Sequence, residues 1–169
     1  MNKKPGFECF TAAVLLACAA PCHAKEGTVE MVLSAVANAY SVEMAETTVA
    51  ARGGSGTITF VRSSGAPFVE GASATVQFVS FSKRTPSGFD LEADAVATFI
   101  SGDTLLLHFR RQSGDITAGS AGDGTLQFKG GSGRFAGVDG QCTYRVDNLH
   151  GNWSVSIARC EWIYSFPYR

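Results

Sequence analysis

The chain has 169 residues, 45% hydrophobic and 17% charged, with 14 Lys and Arg against 15 Asp and Glu and a net charge of −1. So even a balance argues against nucleic acid or an anionic membrane surface as partner, because either would favour a clustered basic face. Residues 25–169 are the size of one domain and enough to bury a core.

At the amino terminus Lys3 and Lys4 precede an apolar run over 9–20, followed by Pro21, Cys22, His23 and Ala24. A basic start, a short apolar middle and a small-residue cleavage site predict a secretory signal peptide over 1–24 and a single domain over 25–169. The run falls short of the roughly 20 residues a spanning helix needs, so no membrane span is expected. Leu15-Leu16-Ala17-Cys18 also resembles a bacterial lipobox, which would anchor the protein through a lipid on Cys18. Cysteine arithmetic favours the soluble form. Cutting after Ala24 leaves Cys142 and Cys160 as an even pair in an oxidising compartment, periplasmic or secreted, whereas cutting before Cys18 strands Cys22 as a free thiol.

Downstream, 28–38 has Val29, Val32, Leu33 and Val36 at helical spacing with Thr28 as a cap, although Val29, Met31 and Leu33 also alternate. A first strand is expected over about 40–49, where Tyr40, Val42 and Met44 alternate with polar residues. Ile58 and Phe60 alternate with Thr57 and Thr59, and 73–82 reads as a further strand. Over 89–99 the apolar set Phe89, Leu91, Ala93, Ala95, Ala97 and Phe99 takes every second position, with Asp90, Glu92 and Asp94 between them. That is a strand with one buried face. Further strands are read over 104–111, 125–129, 141–146 and 153–159, rich in β-branched and aromatic residues. The short basic pairs Lys83-Arg84 and Arg110-Arg111 read as solvated strand ends. A hairpin turn at 147–152 would set Cys142 opposite Cys160 as a disulfide, and the opposite parity of Trp153, Val155 and Ile157 to Cys160 and Trp162 predicts a bulge near Ala158. The expected architecture is all-β, an antiparallel barrel or sandwich.

Nine glycines fall in the 28 residues of 113–140. No phosphate-loop, dinucleotide or serine-hydrolase motif is completed there, since Gly133 is followed by Arg134-Phe135 and no Gly-x-Ser-x-Gly occurs. Gly130, Gly131, Gly133, Gly137 and Gly140 are expected instead to serve tight corners of a bending sheet. The run Gly130-Gly131-Ser132-Gly133-Arg134-Phe135-Ala136-Gly137-Val138-Asp139-Gly140, with the upstream turn Ile100-Ser101-Gly102-Asp103-Thr104-Leu105, resembles the signature of allene oxide cyclase-like and dirigent-like barrels, here their small secreted bacterial members. The resemblance spans about a third of the chain, over 90–146. It implies an antiparallel barrel of about eight strands, which in the plant proteins is often trimeric, so that a homo-oligomer is one expectation. None of the plant cyclase's catalytic residues is carried over to a position here, and fold alone does not assign chemistry.

Candidate chemistry is sparse. His108 and His150 are isolated from any zinc-binding spacing, so neither a metal nor a cofactor is expected. Asp90, Glu92 and Asp94 fall on an exposed strand face. Asn152-Trp153-Ser154 matches a glycosylation sequon that a bacterial export signal would leave unused. With Phe60, Phe78, Leu91, Phe99 and Phe128 pointing inward, a largely apolar site inside or at the mouth of the barrel is expected, with His108, Tyr144, Phe99 and Phe128 as its ligand-binding candidates. Both faces of 105–109 are apolar, so His108 could lie inside or outside. Three functions follow: non-catalytic binding of a small apolar ligand, a structural or partner-binding envelope role, or cyclase- or isomerase-like catalysis on a hydrophobic substrate. An interior cavity of about 300 Å³ or more, the lower end of ordinary ligand pockets, would favour the first over the second.

Overall fold

The computed structural model describes residues 24–165, and the expected signal peptide, Ala24 apart, lies outside them. Eight strands follow in order: β1 (Lys25–Met44), β2 (Thr47–Ser63), β3 (Ser73–Thr85), β4 (Gly88–Phe99), β5 (Thr104–Arg111), β6 (Ala121–Gly131), β7 (Val138–Asn148) and β8 (Trp153–Tyr164). Each pairs antiparallel with its chain neighbours, and β8 returns to β1, closing the barrel. Closure removes the unpaired edges that an open sheet would present.

Period-two burial explains the strands, and it corrects two expectations. The segment 28–38 is not helical. It is the first half of β1, because Val29, Met31, Leu33, Ala35 and Ala37 face inward on alternate positions while the backbone pairs with both β2 and β8. Two neighbours' worth of backbone hydrogen bonds outweigh a weak helical spacing. The strand expected over 40–49 is likewise divided between β1 and β2 by a turn at Ala45, whose φ is 52°.

No bulge forms near Ala158. Strand β8 keeps an unbroken register with β7, and Trp153 and Ile157 are outward and exposed, while Ser156, Ala158, Cys160 and Trp162 alternate inward. The parity conflict came from assigning apolar Trp153 and Ile157 to the core. Register shifts occur instead at Glu30/Met31 and Leu105/Leu107. Cys142 and Cys160 stand opposite each other in the β7–β8 ladder and form a disulfide.

The two halves of the interior differ. One is filled by six rings, Phe60, Phe68, Phe99, Phe128, Phe135 and Trp162, with neighbouring centroids 4.9–6.3 Å apart. Two of them are delivered by connections: Phe68 by the 64–72 segment, which contains the cis peptide Ala66-Pro67, and Phe135 by a 3-10 turn at Gly133–Phe135. That turn is tied to the β4–β5 turn. Asp103 of the β4–β5 turn accepts from the Arg134 N–H at 3.4 Å and from the Ser101 hydroxyl at 2.7 Å, and it pairs with the Arg134 guanidinium at 3.4 Å. Gly133 is required there, since its φ is +58° and a Cβ would collide with the Asp103 carboxylate.

Candidate ligand-binding site

The other half of the interior is not filled. Small side chains line it, with Ala35 and Ala37 on β1, Ser80 on β3, Ala93 and Ala95 on β4 and Ser156 on β8, and a cavity of about 170 Å³ remains. Val76, Phe78, Leu91 and Phe109 add apolar wall, and the β7–β8 turn with Gly151 and Trp153 forms part of the rim. The volume is below the roughly 300 Å³ of a drug-sized pocket. It exceeds the roughly 150 Å³ that suffices to hold benzene in an engineered core.

Two arginines and a tyrosine enter this cavity from three strands. Arg111, the last residue of β5, shares the inward face of Leu105, Leu107 and Phe109 and is only 3% exposed. The expectation that Arg110 and Arg111 are both solvated is therefore corrected: Arg110 faces outward beside Glu92, and Arg111 faces inward. Its Nη2 donates to the Asp115 carbonyl at 3.0 Å, its guanidinium carbon lies 5.1 Å from the centre of the Phe89 ring, and its Nε and Nη1 are buried without an acceptor. Arg52 of β2 donates from Nη2 to the Ile116 carbonyl at 3.3 Å, and its Nε is also buried without an acceptor. Burial lowers the pKa of both arginines, and the charge of Arg111 lowers that of Arg52 further.

Tyr144 of β7 is the third polar group, packed edge-on against Phe109 with centroids 5.5 Å apart. Burial pushes its phenol up to about 12, partly offset by the nearby Arg111 charge, so the hydroxyl remains a hydrogen-bond donor at physiological pH. Glycines on β6 make room for these side chains. A Cβ at Gly122 would stand 2.6 Å from Arg111 Nη1, and one at Gly124 would stand 2.7 Å from the Tyr144 ring.

The 112–120 connection covers part of the cavity through Ile116 and Ala118. It is tied down by Arg52, Arg111 and Asn148, whose Nδ2 donates to the Asp115 carbonyl at 3.0 Å and to the Ser120 hydroxyl at 3.0 Å. The Asp115 carboxylate does not serve the buried arginines: it pairs with Arg84 and accepts from the Ile116 N–H and the Thr117 hydroxyl.

Of the four residues expected to bind a ligand, the structure puts only Tyr144 in the cavity. Phe99 and Phe128 belong to the ring cluster of the filled half. His108 lies on the outer wall, where Nδ1 is 2.8 Å from Asp94 across the β4–β5 ladder. Gly130, Gly131, Gly133, Gly137 and Gly140 surround the 3-10 turn at the filled end and do not line the cavity. Arg52 and Arg111 are the site residues that the sequence reading missed. Their parity was the available signal: Arg111 follows Leu105, Leu107 and Phe109 at two-residue steps, and Arg52 precedes Ile58 and Phe60 on the same face.

The cavity lining contains no carboxylate, imidazole or thiol. Among the described residues no group of three or more His, Cys, Asp or Glu is placed to hold a metal ion, and no helix is long and apolar enough to cross a membrane. What the arrangement can do is hold an apolar body and donate hydrogen bonds to one polar end.

No family model and no curated protein matches the chain. Among solved structures it is similar to a protein of unknown function from the DUF3224 family from Shewanella oneidensis MR-1, at 14% identity and a TM-score of 0.50, over 86% of this chain and 100% of that one. At that identity the likeness is one of fold, and the fold is an antiparallel eight-stranded barrel closed on itself.

Proposed function

We propose that this is an exported, non-catalytic binding protein that holds one small, largely apolar molecule in the open half of its barrel. The observation carrying the reading is the asymmetry of the interior: rings fill one half, while the other keeps a cavity of about 170 Å³ lined by small and apolar residues. Eight-stranded barrels have room for one such ligand. A lining without carboxylate, imidazole or thiol supports binding over acid–base or nucleophilic catalysis, which needs a group of suitable pKa beside the reacting atom. Export is supported by the signal-like sequence over 1–24 and by the Cys142–Cys160 disulfide, a bond that persists in oxidising compartments.

Thermal unfolding in the presence of small aromatic compounds tests this. A ligand that binds only the folded state raises the melting temperature with concentration. The rise should be diminished in Tyr144→Ala and unchanged in His108→Ala, since His108 is on the outer wall. No rise with any ring-sized compound would remove the reading. A partner-binding role draws on a different observation, the outward row of Tyr40, 81% exposed, and Phe81, 65% exposed, flanking Ala51 across β1, β2 and β3. It predicts self-association in sedimentation that Phe81→Ser abolishes while compound binding is retained.

A further inference from the structure

Two arginines share the open half of the barrel, and neither has a carboxylate within ion-pairing distance among the described residues. A buried charge is ordinarily paired, because removing it from water without a counter-charge costs several kcal/mol. Each guanidinium uses one N–H on a carbonyl of the 112–120 connection, yet three further nitrogens, Arg52 Nε and Arg111 Nε and Nη1, remain buried without an acceptor. If stapling that connection were their whole purpose, neutral donors would serve it without the like-charge repulsion. Water could satisfy the free N–H groups but would not neutralise the charges. The nearby Asp115 carboxylate, which could, is engaged by Arg84.

The remaining geometry narrows the missing partner. A guanidinium presents parallel N–H groups that match the two oxygens of a carboxylate. Tyr144 adds a phenolic donor, and Phe78, Leu91 and Phe109 supply an apolar wall. A cavity of about 170 Å³ takes little more than one ring with a polar substituent. Resting on the reading of the cavity as a ligand site, we propose that its ligand is a small organic monocarboxylate, a ring-sized apolar body whose carboxylate is held by Arg52, Arg111 and Tyr144.

Isothermal titration calorimetry of the oxidised protein tests this with benzoate, its neutral isostere benzamide, toluene and inorganic phosphate. Benzoate should bind at one site and at least about tenfold more tightly than benzamide, a gap of about 1.4 kcal/mol. Arg111→Met and Arg52→Met should each weaken benzoate by about tenfold or more while leaving benzamide within about threefold, the loss of one charge-assisted contact. Should Arg111→Met fail to fold, the more exposed Arg52 carries the comparison alone. Benzamide or toluene binding as well as benzoate would overturn the carboxylate assignment and leave the ligand site standing. Phosphate binding without benzoate would overturn it in favour of a bare-anion site, and heat from none of the four compounds would overturn both readings.

Discussion

The filled and open halves of this barrel are built from the same eight strands by the same inward alternation, and they differ in what that alternation delivers. At the filled end it delivers Phe60, Phe99, Phe128 and Trp162, and two connections add Phe68 and Phe135, so that six rings occupy the axis. At the open end it delivers alanines, serines and two arginines, which leave space and unpaired charge. The first arrangement gains dispersion and apolar burial. The second gives up some of both.

Truncation should break the two halves unequally. Phe128→Ala removes a ring with no exposed surface and should cost about 3–5 kcal/mol, measured by denaturant unfolding. Leu91→Ala, on the cavity wall and only partly buried, should cost clearly less because the space beside it already exists. Equal losses would mean that the open half is packed as tightly as the filled one. Reduction of Cys142–Cys160, which closes a loop with a sequence separation of 18, should cost about 3 kcal/mol by the chain-entropy account. Unfolding with and without reductant measures it.

At the open end, Tyr144 makes stability depend on alkaline pH. Its phenol is raised from 10.0 to about 12, so the folded chain keeps a proton that the unfolded chain sheds in that window. The contribution is fully present below pH 10 and is lost as pH rises towards 12, at no more than about 1.4 kcal/mol per pH unit. Tyr144→Phe removes this term, so its unfolding free energy should fall less steeply than that of the parent over the same range; identical slopes would contradict the burial. Smaller again is Gly133→Ala, which should destabilise by more than the ~1 kcal/mol of a generic glycine replacement, whereas Gly53→Ala, with open space around its Cβ position, should not.

Most of the fold was legible because alternation is plain in β4, β6 and β7, because β3, β5 and β8, apolar on both faces, are rich in β-branched and aromatic residues, and because turns are marked by Gly, Asp and Asn. The first hairpin was obscured. Its inward residues include Ala35, Ala37, Gly54 and Gly56, too small to register as a hydrophobic stripe, and Val32 and Val36 lend β1 a false helical spacing. The same small residues hid the site. Arg52 is separated from the recognisable Ile58–Phe60 pattern by glycines, so its inward parity could be counted only once β2 was known to keep its register from Arg52 to Phe60. Arg111 was masked by chemistry: an arginine at a strand end is ordinarily solvated, and only the parity of Leu105, Leu107 and Phe109 spoke against that. His108 was ambiguous because both faces of β5 carry leucine, and closure of the barrel put the odd-numbered face inside.

On the reading proposed above, the open half binds a ligand and the filled half is structural core. Amide chemical-shift mapping of the oxidised protein titrated with benzoate tests it most directly. Saturable shifts should gather at Arg52, Ser80, Ala93, Arg111, Tyr144 and Ser156, all on the cavity wall, while Phe60, Phe128 and Trp162 in the filled half stay unchanged. Shifts confined to the outer wall around His108 and Asp94, or no saturable shift anywhere, would contradict it.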